Sequence, residues 1–498
     1  LSTGAELRIL AFERPAGRRQ EAGQMEEPTR GTVPATRVDL ERLGREFVGT
    51  VLTAEDPGYA EARRVWNGMI DRHPVAIARA ASADDVAVAI RFSRESDLPL
   101  AVRGGGHSVA GNGTVDAGLV LDLGQLRTVS VNDQTRTVTV QAGATLADID
   151  RATVPQGLAV PMGVVSATGI AGLTLGGGIG WLTRAYGLTI DNLHSADMVT
   201  AAGERVRASE RQNADLFWGL RGGGGNFGVV TSFEFQAYPI PPRVYAGNLI
   251  YTPAQWRTAL AAYARWTAGL PDELTSILTF LTPPGDWGMG EEPRMIIGFV
   301  WATDDERRAA QLVDRLRQDA PPDFEETGPT PWTAWQSSVD ATFPRGSRAY
   351  WKNVSFDALD DAVVDVLLAR AAEQTWVGTG FDVHHLGGTF GRMPEESTAF
   401  PNRSAQFWLN IYGFWTEPDR DEPHRAFIRA LAADMEPFAA GGRYVNFLAE
   451  ETGSTPVDRA RDTYGPGKLR RLAQIKQAWD PDNVFRLNHN IQPGQSLR

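Results

Sequence analysis

The residue types best suited to chemistry gather in three glycine-rich segments. The first is Val102-Arg103-Gly104-Gly105-Gly106-His107-Ser108. Consecutive glycines expose main-chain N–H groups and let a pyrophosphate approach the backbone. The imidazole that follows is either a reactive group or a plain hydrogen-bonding residue in a tight turn. The second segment runs from Gly163 to Trp181 and includes Val165, Thr168, Gly169, Gly172, Gly176, Gly177, Gly178 and Gly180. No regular helix or strand tolerates that density of glycine, so this backbone is expected to wrap something closely. The third, from Trp218 to Gly228, holds a literal G-x-G-x-x-G at Gly223, Gly225 and Gly228, with Asn226 inside it. A nicotinamide-binding Rossmann turn needs a strand before that motif and a helix after it. Here a helix-like stretch at 214–220 precedes and a strand-like stretch at 229–235 follows, and the reversed order excludes that reading.

The elements that must position these segments read as mixed strands and helices. Residues 98–103 are strand-like and deliver the chain to Gly104. Strand patterns recur at 74–78, 119–123 and 137–140. Apolar residues at helical spacing span 39–52. A capping pattern at Ser82 to Asp85 opens a further helix, and Thr145 with Asp148 opens another. This βαβ-like order points to the α+β class. After Pro239-Ile240-Pro241-Pro242 the composition changes. Residues 243–443 are rich in Trp and Pro, with helices expected at 253–270 and 303–317, so a domain boundary falls near 240. Residues 381–388 read as a strand, which turns His384 and His385 to opposite faces. Adjacent strand histidines do not readily chelate one ion, so no metal is expected. Phe407, Trp408, Tyr412 and Trp415 offer an aromatic floor for a pocket, although such residues are more often plain core.

The chain has 498 residues, and 49 Lys+Arg against 61 Asp+Glu give a net charge of −12. That balance disfavours nucleic acid and anionic membranes as partners. The basic pairs Arg18-Arg19 and Arg470-Arg471 read as solvated faces. No apolar run approaches the roughly 20 residues needed to span a bilayer. The absence of cysteine excludes disulfides, thiolate metal sites and a cysteinyl link to a cofactor. It fits a reducing compartment, so a cytoplasmic location is expected. Residues 1–36 lack periodicity and read as a disordered extension, with Met25 a candidate natural start. Oligomeric state is not specified.

In their order and content, the three segments resemble the FAD-linked oxidases of the berberine bridge enzyme type, within the vanillyl-alcohol oxidase (PCMH-type FAD-binding) superfamily. The resemblance continues in Tyr186-Gly187-Leu188-Thr189-Ile190-Asp191-Asn192-Leu193, in Tyr444-Val445-Asn446-Phe447 and in the run from Asp480 to Asn488, so it covers about 37–493. Its texture is nearest to the bacterial 6-hydroxynicotine oxidase subgroup and to flavoenzymes that tailor polyketides.

The resemblance implies a PCMH-type FAD-binding domain over 37–240, completed by 444–498. Between them, 241–443 would form a substrate domain with an antiparallel sheet backed by helices. It implies that His107 is bonded to the flavin 8α-methyl. The attachment would be monocovalent, because Val165 stands where many relatives carry a second, cysteinyl link. Arg103, Gly104, Gly105, Gly106, Ser108, Gly163, Val165, Thr168, Gly169, Gly172, Gly176, Gly177, Gly178, Gly180, Asn226, Gly228, Val229 and Asn488 would line the FAD. Thr168 would govern oxygen access, and Tyr444 would lie beside the substrate. A phenol of ordinary pKa near 10 is a poor base at neutral pH, so Tyr444 needs a cation or donors to its oxygen before it can take a substrate proton. His384, His385, Trp408 and Asn410 would line the substrate, and Asn410 departs from the Gln or acid found near that place in some relatives. The activity implied is oxidation of a small or medium alcohol, amine or secondary metabolite, with hydride transfer to FAD and reoxidation by O2 to H2O2. Alternatives are an oxygenating or rearranging enzyme of secondary metabolism, a dehydrogenase with another acceptor, and a flavin-binding protein without turnover.

Overall fold

A computed structural model describes residues 37–494 apart from 375 and 452; the expected extension at 1–36 lies outside the described residues. The first sheet orders Thr50–Thr53, Ala76–Arg79, Leu119–Asp122 and Leu100–Arg103 side by side. The last three run parallel, in a register that pairs Arg103 with Asp122. Parallel strands are covered on both faces and read as continuous apolar runs, as Ala76-Ile77-Ala78 and Leu119-Val120-Leu121 do, all fully buried. Loops at the carboxyl ends of such strands are where open α/β sheets take ligands. The strand Leu100–Arg103 ends there and hands the chain to Gly104–His107.

The helix expected over 39–52 is shorter than its apolar spacing suggests. It spans Arg37–Glu46, and the chain then turns into the edge strand Thr50–Thr53, antiparallel to Ala76–Arg79. Two interactions enforce the turn. The Asp85 carboxylate accepts from the N–H groups of Val48 (2.7 Å), Gly49 (3.1 Å) and Ala81 (2.8 Å). Gly49 also lies so close to the Arg79 carbonyl that a Cβ would sit 2.0 Å from it. The other helix starts follow their caps. Ser82 accepts from the Asp85 N–H ahead of Ala83–Glu95, and Thr145 and Asp148 form a capping box at Leu146–Thr153. The helices expected at 253–270 and 303–317 are Trp256–Thr267 and Glu306–Asp319, the latter beginning where Asp305 accepts from the Arg308 N–H.

A second, antiparallel sheet orders Val129–Asn132, Thr137–Gln141, Val229–Gln236, Leu193–Val199 and Arg205–Ser209. Val138, Val140, Phe233, Phe235 and Met198 bury its inner face in the same core as the first sheet. The third sheet is wholly antiparallel and has seven strands, in the order Phe324–Pro331, Arg243–Tyr251, Arg294–Trp301, Leu274–Leu281, Thr379–His385, Phe407–Trp415 and Arg348–Phe356. Helices Trp256–Thr267, Glu306–Asp319, Asp361–Glu373 and Asp421–Met435 cover one of its faces. Alternation along Phe407–Trp415 sorts the side chains. Trp415 stacks on His424 of the covering helix, with ring centroids 4.6 Å apart. On the opposite face Trp408 reaches Tyr444, and Phe414 reaches Trp66.

The chain end closes onto the third glycine segment. Helix Pro456–Trp479 kinks at Gly465 and carries the buried Lys476. The Lys476 Nζ donates to the carbonyls of Asn226 (2.7 Å) and Phe485 (2.9 Å) and to Asp480 Oδ2 (2.6 Å). Burial draws the ammonium pKa down and Asp480 opposes that shift. Asp480 also accepts from the N–H groups of Val484 and Phe485. Removing one member of a buried pair strands the other charge and costs about 3–5 kcal/mol. Asp480→Ala is therefore expected to lower unfolding stability by about that amount in urea titration, and to open 480–491 to limited proteolysis. An unchanged midpoint would show that the pair does not hold the closure.

Candidate active site

His107 is fixed by residues far from it in sequence. Its ring stacks on Trp66, with centroids 4.9 Å apart and planes at 22°, and the Trp66 N–H donates to the Gly106 carbonyl at 2.9 Å. The neighbouring Asn67 donates through Nδ2 to the carbonyls of Val109 (2.7 Å) and Ala349 (3.0 Å), and its Oδ1 accepts from the Ala349 N–H (3.1 Å). The histidine loop is thereby tied to the edge strand of the large sheet. Arg103 pairs with Asp122 at 2.8 Å, following the parallel register. Ser108 Oγ accepts from the Asn112 N–H at 3.4 Å. Burial lowers the His107 pKa to about 4, with Arg345 adding to the effect. The imidazole is thus neutral at physiological pH. Its Nε2 is buried without a hydrogen-bond partner among the described residues.

The second glycine segment packs against the first. A Cβ on Gly105 would lie 2.5 Å from the Gly169 nitrogen, so only glycine permits this approach. Thr168 is half-buried and closes a turn by donating its N–H to the Val165 carbonyl at 3.1 Å. The turn is held from the large-sheet side. Asp340 accepts from the Ser166 N–H at 2.8 Å and from its hydroxyl, and Gln336 donates to the Gly163 carbonyl. Gly176 abuts the Asn446 side chain, Gly178 abuts Thr189, Gly180 the Met162 carbonyl and Gly228 the Met198 side chain. These four glycines are required by protein neighbours. Gly172 faces open space. Val229 begins the strand Val229–Gln236. The Asn226 side chain donates to the Gly223 and His489 carbonyls and accepts from the Ile491 N–H. Asn488 donates to the Gly225 carbonyl at 2.8 Å, while its Oδ1 has no partner among the described residues.

Tyr444 is fully buried. Its hydroxyl oxygen accepts from the Gly178 N–H (3.0 Å), the Ile179 N–H (3.4 Å) and Asn446 Nδ2 (2.9 Å). The donors that a more acidic phenol requires are therefore in place. Burial outweighs them, and the hydroxyl pKa stays above its ordinary value. Asn353 holds the Tyr444 backbone, accepting from its N–H (2.9 Å) and donating to its carbonyl (3.1 Å) and that of Phe447 (3.0 Å). The same Asn353 Oδ1 accepts from Trp408 Nε1.

The two adjacent histidines do part. His384 lies 5.8 Å from the Phe447 ring, and its Nε2 has no partner among the described residues; burial lowers its pKa to about 4. His385 instead meets Arg184, which also grips the carbonyls of Leu270, Pro271, Leu274 and Leu386. Asn410 shares a sheet register with Asn353, and its Oδ1 is buried without a partner among the described residues. Trp66, Asn67, Gln336, Asp340 and Asn353 escape sequence reading, because each acts on a segment that lies far along the chain. Among the described residues no helix is long and apolar enough to cross a membrane, and no cluster of three or more potential ligands could hold a metal ion.

The buried polar atoms left open along this seam suit a long polar cofactor. His107 Nε2, Arg103 Nη1, Asn488 Oδ1 and Asn490 Oδ1 lack partners among the described residues. They lie beside glycine loops whose backbone can be approached closely. The fold and these loops define a flavin-binding oxidoreductase architecture. An FAD binding domain model matches residues 74–209, and a "berberine and berberine like" model matches residues 443–492. An FAD-linked oxidoreductase of Pyricularia oryzae is 31% identical over 435 residues, 82% of each chain. The (R)-6-hydroxynicotine oxidase of Paenarthrobacter nicotinovorans is 28% identical over 457 residues, covering 89% of this chain and 97% of the relative. Among solved structures, the 6-hydroxy-D-nicotine oxidase of Arthrobacter nicotinovorans superimposes with a TM-score of 0.80 at 24% identity, covering 90% of this chain and 98% of its own. The Acremonium strictum glucooligosaccharide oxidase gives 0.81 at 23% identity, with 92% and 99% covered. The chain belongs to the berberine bridge enzyme-type FAD-linked oxidoreductases, and it is an enzyme of that class.

Asn67→Ala tests the clamp on the histidine loop. It leaves buried backbone groups of Val109 and Ala349 unpaired, at about 1–3 kcal/mol for such a group. The expected result is a lower unfolding midpoint together with a lower flavin-to-protein ratio after purification. A normal ratio would show that Asn67 does not position the loop.

Proposed function

We propose that the protein oxidises a small or medium organic molecule, an alcohol, amine or secondary metabolite, using FAD joined through its 8α position to His107. The observation that carries this reading is the state of His107. A neutral imidazole, stacked on Trp66 and with an unpartnered ring nitrogen, keeps the lone pair that a covalent bond requires. The absence of cysteine supports a single tether. FAD, when bound, supplies a two-electron oxidant for hydride removal.

The chain's own residues do the rest. Gly104–Gly106, Gly169, Gly172 and Asn488 would hold the cofactor. Tyr444 remains a phenol at neutral pH and serves as a hydrogen-bonded wall of the site. Thr168, on a turn tied down by Asp340 and Gln336, would govern access of O2, the proposed acceptor that yields H2O2. The large sheet offers the substrate face.

Acid precipitation of the purified protein tests the linkage. Yellow colour and flavin fluorescence should stay with the polypeptide, and His107→Ala should release the flavin into the supernatant. Covalent flavin persisting in that variant would remove His107 as the anchor. Peroxide should form in step with substrate consumption; slow reoxidation by air after chemical reduction would instead favour a dehydrogenase. Tyr444→Phe should leave the flavin bound and slow its anaerobic reduction by about tenfold, the effect of one lost hydrogen bond to the site, about 1.4 kcal/mol.

A further inference from the structure

The segment that joins the two outermost strands of the seven-stranded sheet is a strap. It leaves the edge strand Phe324–Pro331 and enters the opposite edge strand Arg348–Phe356, so it crosses the full width of the sheet. It does so on the face away from the covering helices, where Trp335 packs on Trp181 and Phe343 on Tyr412. Gln336 and Asp340 tie its middle to the second glycine segment. Its last turn is tied to the residue that stacks on His107. The Phe343 carbonyl accepts from Trp66 Nε1 at 3.1 Å, and the Gly346 N–H donates to the Trp66 carbonyl at 2.9 Å. The Phe343 ring meets Phe414 and Trp351, with centroids 4.9 and 6.3 Å away. Both of those rings also touch Trp66. Phe343 therefore completes an aromatic wall beside the Trp66–His107 stack.

Two residues beyond Phe343 stands Arg345, exposed at this edge. Its Nη2 donates to the Arg64 carbonyl at 2.9 Å, and its Nε and Nη1 have no partner among the described residues. The acids of the adjoining segments are engaged elsewhere, Glu61 with Arg64, Asp71 with Arg63 and Asp340 with Ser166. Arg345 is also the one charge that acts on the His107 imidazole. Further in, no charge acts. Tyr444, and His384 beside Phe447, are shifted by burial and hydrogen bonds alone. The site thus has an uncompensated cation at one end and a neutral interior at the other. A guanidinium with donors to spare matches the two oxygens of a carboxylate.

We propose that the substrate carries a carboxylate, that Arg345 holds it at the mouth of the site, and that Phe343 packs on the body joining it to the reacting carbon. The inference deepens the oxidase reading and rests on it. Phe343 and Arg345 are then specificity-determining residues of the strap. Keeping the charged end at the rim avoids the cost of burying it. The uncharged end of the molecule enters toward Tyr444, so the single cation also sets which end of the substrate reacts.

The test uses the holoenzyme and matched probes that differ only in this charge. The first measurement is binding without turnover, read from the absorbance of the oxidised flavin. Phenylpropionate should perturb the spectrum at about tenfold lower concentration than phenylpropionamide, and the preference should shrink as salt is raised. Arg345→Gln, checked for folding by flavin content, should bring the acid to the level of the amide. Arg345→Lys should keep part of the preference, and Phe343→Ala should weaken both probes alike. Equal affinities in wild type, or a preference that survives Arg345→Gln, overturn the proposal. The second measurement is anaerobic flavin reduction by para-(hydroxymethyl)benzoate and its amide, and by the corresponding benzylic amines. The acids should half-saturate at lower concentration than the amides, and Arg345→Gln should remove that difference. Reduction by acid and amide at the same half-saturating concentration overturns the assignment of Arg345 and leaves the oxidase reading standing. Acid-selective binding that is lost in Arg345→Gln, with a flavin that none of the probes reduces, overturns the oxidase reading and leaves the carboxylate site standing.

Discussion

Glycine loops that form neither helix nor strand cannot satisfy their own backbone, and the buried seam of this protein depends on side-chain amides that do it for them. Buried N–H and C=O groups must be paired somewhere. Asn67 pairs those of the histidine loop with the Arg348–Phe356 strand. Asn353 pairs those around Tyr444, and Asn226 pairs the third glycine segment with the chain end. An amide offers a donor and an acceptor on one rigid plane, so each asparagine fixes the distance and orientation between two segments. The placement of His107 and Tyr444 relative to the large sheet follows from these grips.

Electrostatics within the seam follow from the same burial. His107, His384 and His489 are all held neutral by desolvation, whereas Asp382 is drawn toward neutrality from the other side. Buried cations keep charge partners at hydrogen-bonding distance, as in Lys476–Asp480, Arg103–Asp122 and Arg403–Asp191. A buried charge is tolerated only when it is paired in this way.

Much of this was legible in the sequence, for local reasons. The capping residues at Ser82 and Thr145, the helix before the third glycine motif and the strand after it all act within a few positions of the element they define. The split of His384 from His385 needed only the period of a strand. The helix expected through residue 52 failed because Asp85, more than thirty residues away, captures the N–H groups that would have continued it. Trp66, Asn67 and Asn353 were invisible for the same reason, since Asn67 and Ala349 meet across 282 positions. Thr279, Asp382, Asn410 and Asn353 lie side by side on the large sheet, and only strand register assembles them. Several glycines of the dense segment, among them Gly176 and Gly178, proved to be demanded by Asn446 and Thr189, a cause that glycine density alone does not separate from a ligand.

The strict alternation of Phe407–Trp415 has an evolutionary consequence. Its odd positions are anchored in the helix-backed core, while its even positions, equally buried, face the glycine loops and Tyr444, so one strand serves two independent selective pressures. Drift at Asn410 or Tyr412 can recast what the sheet recognises without disturbing the layer beneath or the glycine loops opposite. A scaffold divided in this way diversifies by repainting one surface, and a lineage can change its diet while its cofactor machinery stays as inherited.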